Sequence, residues 1–155
     1  MRAVQVGVVS RRDGPPRLWV FTVEGTPRTK RGAARGRHGQ MHADPGAIAY
    51  EQKVAAAAAD AGLAAGAGPC SVVIHLYLPT KRVKDADRVL SAIFDGMKRA
   101  GKHALADDSL MVVQDVHVRL AGIDPLRPRA VVTVTEIDGV CLEPARSVLR
   151  GIDEV

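Results

Sequence analysis

Ser71-Val72-Val73-Ile74-His75-Leu76-Tyr77-Leu78-Pro79 is followed, after a short basic turn, by Asp87-Arg88-Val89-Leu90-Ser91-Ala92-Ile93-Phe94-Asp95-Gly96-Met97. The two stretches carry different periodicities, and together they decide the fold. In the first, Val72, Ile74, Leu76 and Leu78 alternate onto one face, with His75 and Tyr77 on the other, which is the signature of a half-buried strand closed by Pro79. In the second, Leu90, Ile93, Phe94 and Met97 recur at helical spacing. This predicts a helix from about 88 to 100, with Asp87 as N-cap and Gly101 just past its end.

Working outward, Leu110 to Leu120 reads as the clearest strand of the chain. Leu110, Val112, Val116, Val118 and Leu120 are expected on one face, and Asp115, His117 and Arg119 on a wet or partner-facing one. Ala130 to Ile137 makes a last strand. Upstream, Leu18 to Val23 is a strand ended by Gly25 and Pro27, with Trp19 and Phe21 in the core, and Val4 to Ser10 is a shorter one. Thr26 to Ala43 is a long loop of small and basic residues, a kind that in compact domains usually carries function or is disordered. Asp44-Pro45 is a strong helix start, because Asp accepts orphan N–H groups and Pro loses nothing at the first helical position. The Ala-rich run from Gly46 to about Ala61 follows, with Gly62 to end it. Strand, helix, strand, helix, strand, strand implies an α+β fold, a mixed β-sheet with two main helices on one face in a single compact domain. The expected layout is an N-terminal strand and loop over 1–16, the main domain over 17–137 and a tail of weak helical character over 138–155.

Composition fits this reading. The 155 residues suit one domain, 46% are apolar and 25% charged, and aromatics are scarce at 3%. A net charge of +5 and a sequence pI near 9.6 favour a polyanionic partner. Cys70 and Cys141 have no zinc-ligand spacing, and two isolated thiols without a secretory segment point to a reducing, cytoplasmic compartment. No stretch nears the roughly 18 apolar residues of a membrane helix. His38 and His42 are four apart, but among Gly and Ala in a loop they are a poor zinc pair; His75 and His117 read as ordinary strand residues.

The chemistry concentrates in acids. Asp85 and Asp87 flank Ala86 where a basic turn enters a helix, and the positive end of the helix dipole tolerates their charge. Alone, this is an N-cap beside a solvated loop acid. Asp107-Asp108, just before the next strand, adds a second acidic group. If these carboxylates converge they repel, by about 4 kcal/mol for a pair 4 Å apart at an effective dielectric near 20. A divalent cation removes that cost, and an oxygen set with open water positions suits Mg²⁺ or Mn²⁺. Lys81, Arg82, Lys84 and Arg88 would attract a phosphate backbone, and Arg28, Lys30 and Arg31, within the loop cations of 28–37, form a second candidate contact.

At these residues the chain resembles the RusA family of Holliday-junction resolvases, found in bacteriophages and prophages. The resemblance rests on Lys84-Asp85-Ala86-Asp87-Arg88-Val89-Leu90-Ser91, on Ile93-Phe94-Asp95-Gly96-Met97 and on Asp107-Asp108-Ser109-Leu110-Met111-Val112-Val113. Val23-Glu24-Gly25-Thr26-Pro27-Arg28-Thr29-Lys30 is similar to the family's Gly-x-Pro approach to a basic loop. The similarity spans roughly residues 17 to 137. It implies a homodimer in the bacterial cytoplasm that resolves four-way DNA junctions with Mg²⁺, with Asp85, Asp87 and Asp108 as metal ligands and Asp95 and Asp107 in support. Two positions depart from the pattern: Arg88 replaces the family's Asn and Ser91 its Lys. Arg88 lies on nearly the same helix face as Ser91 and could supply the missing charge to the scissile phosphate.

Two rival readings stand beside this one. A non-catalytic, junction-binding homodimer of the same fold is favoured by Ser91. A phosphohydrolase is suggested by Asp85-Ala86-Asp87-Arg88-Val89, but that motif should follow directly on a buried strand, and Pro79 to Lys84 intervenes.

Overall fold

The structure is a computed structural model that describes residues 15–28, 34–35, 41–42, 44–63, 68–81, 86–101 and 112–137. Six strands and two helices follow in the order β1 (Leu18–Glu24), β2 (Ala34–Arg35), β3 (Met41–His42), α1 (Pro45–Asp60), β4 (Cys70–Leu78), α2 (Ala86–Arg99), β5 (Val113–Ile123) and β6 (Arg129–Glu136). The main sheet has the order β1-β6-β4-β5. β6 is antiparallel to both β1 and β4, and β5 is parallel to β4. β1, β4 and β5 therefore run the same way, each connected to the next through a helix. The expected single α+β domain, with a mixed sheet and two helices, is what the chain forms.

One face of the sheet makes the core. Trp19, Phe21 and Val23 of β1, Val72, Ile74, Leu76 and Leu78 of β4, and Ala130, Val132 and Val134 of β6 alternate into it. The helices supply Tyr50, Val54 and Ala58 from α1 and Val89, Ile93, Phe94 and Met97 from α2. In α1 the buried positions Ala47, Tyr50, Glu51, Val54 and Ala58 fall three or four apart, so an Ala-rich helix still presents one stripe. Asp44 caps it as expected, its side chain accepting from the Gly46 N–H at 2.9 Å. Gly62, at φ +84°, follows the Ala61 cap and takes the left-handed turn that ends the element.

Several boundaries differ from expectation. α2 begins at Ala86, so Asp87 lies in its first turn and is not its N-cap. The segment 26–43 is not all loop: Ala34–Arg35 pairs with Met41–His42 as a small antiparallel sheet. β5 starts at Val113, and its alternation breaks at once. Val113 pairs with buried Cys70, whereas Asp115 pairs with Ser71, so Gln114 is an extra residue and the apolar register shifts from odd to even positions. A second shift at Ala121 puts Ile123 opposite Leu78. Beyond the bulge Val116, Val118 and Leu120 lie opposite Val72, Ile74 and Leu76, yet on this edge strand Leu120 remains 62% exposed. The expected strand at Val4 to Ser10 and the helical tail from Asp138 lie outside the described residues.

Candidate nucleic-acid interface

Parallel strands leave a sheet at one end, and ligands of α/β folds gather beyond their carboxyl ends, where the following helices begin. Here that end is formed by Glu24 of β1, Leu78 of β4 and Ile123 of β5, with Arg129 opening β6 beside them. Backbone bonds tie it: Gly25 N–H donates to Pro128 O and Asp124 N–H to Leu78 O, both at 2.8 Å. The N-termini of α1 and α2 point to the same end because each helix follows one of these strands.

Charge at this end divides into two sets. Arg127 donates through Nε to Glu24 at 3.1 Å, and Arg129 donates to Asp124 at 2.7 Å while its guanidinium lies 3.8 Å from the centre of the Tyr77 ring. The bond from Arg127 holds the Glu24 carboxyl below its ordinary range, and the bond from Arg129 does the same for Asp124. These two arginines are committed to the protein. Arg28, Lys53 and Lys81 are exposed and make no ion pair among the described residues. They leave positive charge at this end open to a polyanion.

Asp87 is exposed in the first turn of α2, where the dipole favours an anion, and has no hydrogen bond or ion pair among the described residues. Arg88 is also exposed, as is Ser91 one turn on. Asp95 sits farther along α2 with its carboxylate 3.1 Å from Lys98 Nζ. Among the described residues no three His, Cys, Asp or Glu side chains group to hold a metal. Asp85, Asp107, Asp108, Arg82, Lys84, Lys30 and Arg31 lie outside the described residues.

Other polar groups are engaged elsewhere. Ser71 Oγ donates to Asp115 at 2.9 Å, and His117 Nε2 lies 3.2 Å from the same carboxylate, an order that leaves the serine with no base. At the opposite end of the sheet Glu136, almost buried, accepts from Arg17 at 2.9 Å and from the Gly68 N–H at 3.1 Å. The sequence reading missed Lys53, whose one available signal was being the lone cation of α1.

No family model matches the chain, and no curated protein matches it either. Among the described residues no helix is long and apolar enough to cross a membrane.

Proposed function

We propose that the protein is a Mg²⁺-dependent, structure-selective endonuclease of the bacterial cytoplasm that acts as a homodimer on branched DNA such as four-way junctions. The observation that carries this reading is Asp87, an exposed carboxylate in the first turn of α2 with no partner among the described residues, at the sheet end where Arg28, Lys53 and Lys81 make no ion pair among those residues either. The resemblance of the acidic motifs to the RusA family supplies the reaction class.

In this reading Asp85, Asp87 and Asp108 hold the cation. Asp87 suits it as a hard oxygen donor that no other described residue engages. When bound, Mg²⁺ supplies a Lewis acid that activates water and offsets charge on the phosphodiester. Lys81 and Arg28 draw in the backbone, and Arg88 meets charge at the scissile phosphate in place of the lysine that Ser91 replaces.

Incubation of a synthetic four-way junction with Mg²⁺ tests the proposal, with binding measured in parallel in EDTA or Ca²⁺. Paired cuts in opposed strands are expected. Tight binding without cleavage would favour the non-catalytic junction binder, to which Ser91 already points. Neither binding nor cleavage would remove the nucleic-acid reading.

A further inference from the structure

A cleft of about 360 Å³ opens where β1 leaves the sheet and α1 begins. Gly25, Thr26 and Arg28 form one side, and Gly46, Tyr50 and Lys53 form the other. Lys53 Nζ lies 3.5 Å from where a Cβ on Gly25 would stand, and the Arg28 guanidinium lies 3.6 Å from the same position on Gly46. Both glycines thus line the cleft beside a cation, and Gly25, at φ +101°, also holds a backbone shape that side-chain-bearing residues resist.

Neither cation has an acidic partner among the described residues. Two cations lining one cleft add their fields there and raise its potential toward an anion. Tyr50 is buried, its hydroxyl without a hydrogen-bond partner among the described residues, and burial keeps it protonated, so this wall adds a neutral group and no negative charge. Asp44 is the acid at the rim, and its Oδ1 is taken by the Gly46 N–H. The Ala47 and Ile48 N–H groups donate to Asp44 O at 3.0 and 3.1 Å, which leaves the cations, not the helix terminus, to grip an anion.

We infer that this cleft seats a phosphate group between Arg28 and Lys53. The choice of a DNA backbone phosphate as its source rests on the nucleic-acid reading above. Its volume lies at the low end of the roughly 300–1,000 Å³ of small-ligand sites, enough for one phosphate and an attached sugar.

The test compares the wild type with Arg28→Gln, Lys53→Gln and the double variant; both side chains are exposed, and circular dichroism checks the fold. Binding of a fluorescein-labelled DNA duplex is followed by anisotropy across a salt series. Melting is followed in inorganic phosphate against chloride at matched ionic strength. The slope of log K against log salt should become shallower by about 0.9 for each cation removed. The wild type should melt higher in phosphate, and the double variant should lose that gain. An unchanged slope together with no phosphate gain overturns the phosphate seat and leaves the DNA reading intact. Failure of the wild type to bind DNA, with a phosphate gain that the double variant loses, keeps the seat and assigns it to a free phosphate or phosphorylated small molecule. Failure of both arms removes both.

Discussion

Arg99, in the last turn of α2, places its guanidinium 3.1 Å from the carboxylate of Glu51, which is wholly buried on α1. Arg99 itself is half exposed, so it keeps part of its hydration while compensating a charge that has lost all of its own. Breaking a fully buried pair costs about 3–5 kcal/mol, and water around Arg99 reduces this. Arg99→Ala is therefore expected to destabilise by about 2 kcal/mol, and Glu51→Gln in the Arg99→Ala background should recover part of the loss. Urea unfolding of Arg99→Ala, Glu51→Gln and the double variant checks this. Additive effects would show that the contact carries no coupling.

Gly96 marks the closest approach of the helices. A Cβ there would collide with the Val54 side chain and stand 2.8 Å from the Glu51 carbonyl oxygen. Alanine gains about 1 kcal/mol of helix propensity over glycine. The clash is with backbone and with a β-branched side chain that cannot swing away, and overpacking of this kind costs about 1–3 kcal/mol or more. Gly96→Ala should therefore lower the urea midpoint. A raised midpoint would mean that the helices separate easily.

The parts of the fold legible in the sequence are those where burial repeats at the pitch of the element. Val72, Ile74, Leu76 and Leu78, and likewise Ile93, Phe94 and Met97, entered the core as their spacing implied. The start of β5 was misread because an extra residue at Gln114 moves the register without changing the composition: Val113 is buried at an odd position, while Val116, Val118 and Leu120 share the even face that the alternation implied. The Arg28–Lys53 cleft was illegible for another reason. It depends on β1 and α1 lying side by side, which spacing along either element does not encode. Of the acidic set, Asp87 could be followed into the structure, where it proved a first-turn residue, while Asp85, Asp107 and Asp108 fall outside the described residues.

Alkaline pH should unfold the protein by a traceable route. Burial, helped by Glu136, pushes the Cys70 thiol up to about 11, and burial raises the Tyr50 phenol as well. Both groups are neutral when protonated, and their folded values lie above the unfolded ones. Their contribution is complete below pH 9 and falls as pH rises, because the unfolded chain releases its protons first. For Cys70 the loss runs from about pH 9 to about 11. Stability measured by urea between pH 8 and 11 should decline, and Cys70→Val with Tyr50→Phe should flatten the decline. At neutral pH, Tyr50→Phe removes a hydroxyl with no hydrogen-bond partner among the described residues and should be neutral or stabilising by up to about 1 kcal/mol. A marked loss at pH 7 would show that the hydroxyl has a partner in solution.

Two aspartates on α2 separate the proposed metal role from helix electrostatics. Asp87 is exposed in the first turn with no partner among the described residues, whereas Asp95 is engaged by Lys98 at 3.1 Å and lies about 12 Å farther along the axis at 1.5 Å per residue. No single ion could take oxygen ligands from both. If Asp87 coordinates the cation, Asp87→Asn should weaken Mn²⁺ binding, read by water proton relaxation, by more than about tenfold, and junction cleavage should fall by about 10² or more, as when a charge-stabilising group is removed from a reacting centre. Asp95→Asn should leave both within about twofold, since a partly exposed pair two turns along the helix is too far from the ion to bind it. Binding of the junction in EDTA needs no metal ligand and should survive in both variants. Equal effects of the two substitutions would mean that the helix responds to lost negative charge in general, and the metal role of Asp87 would fall.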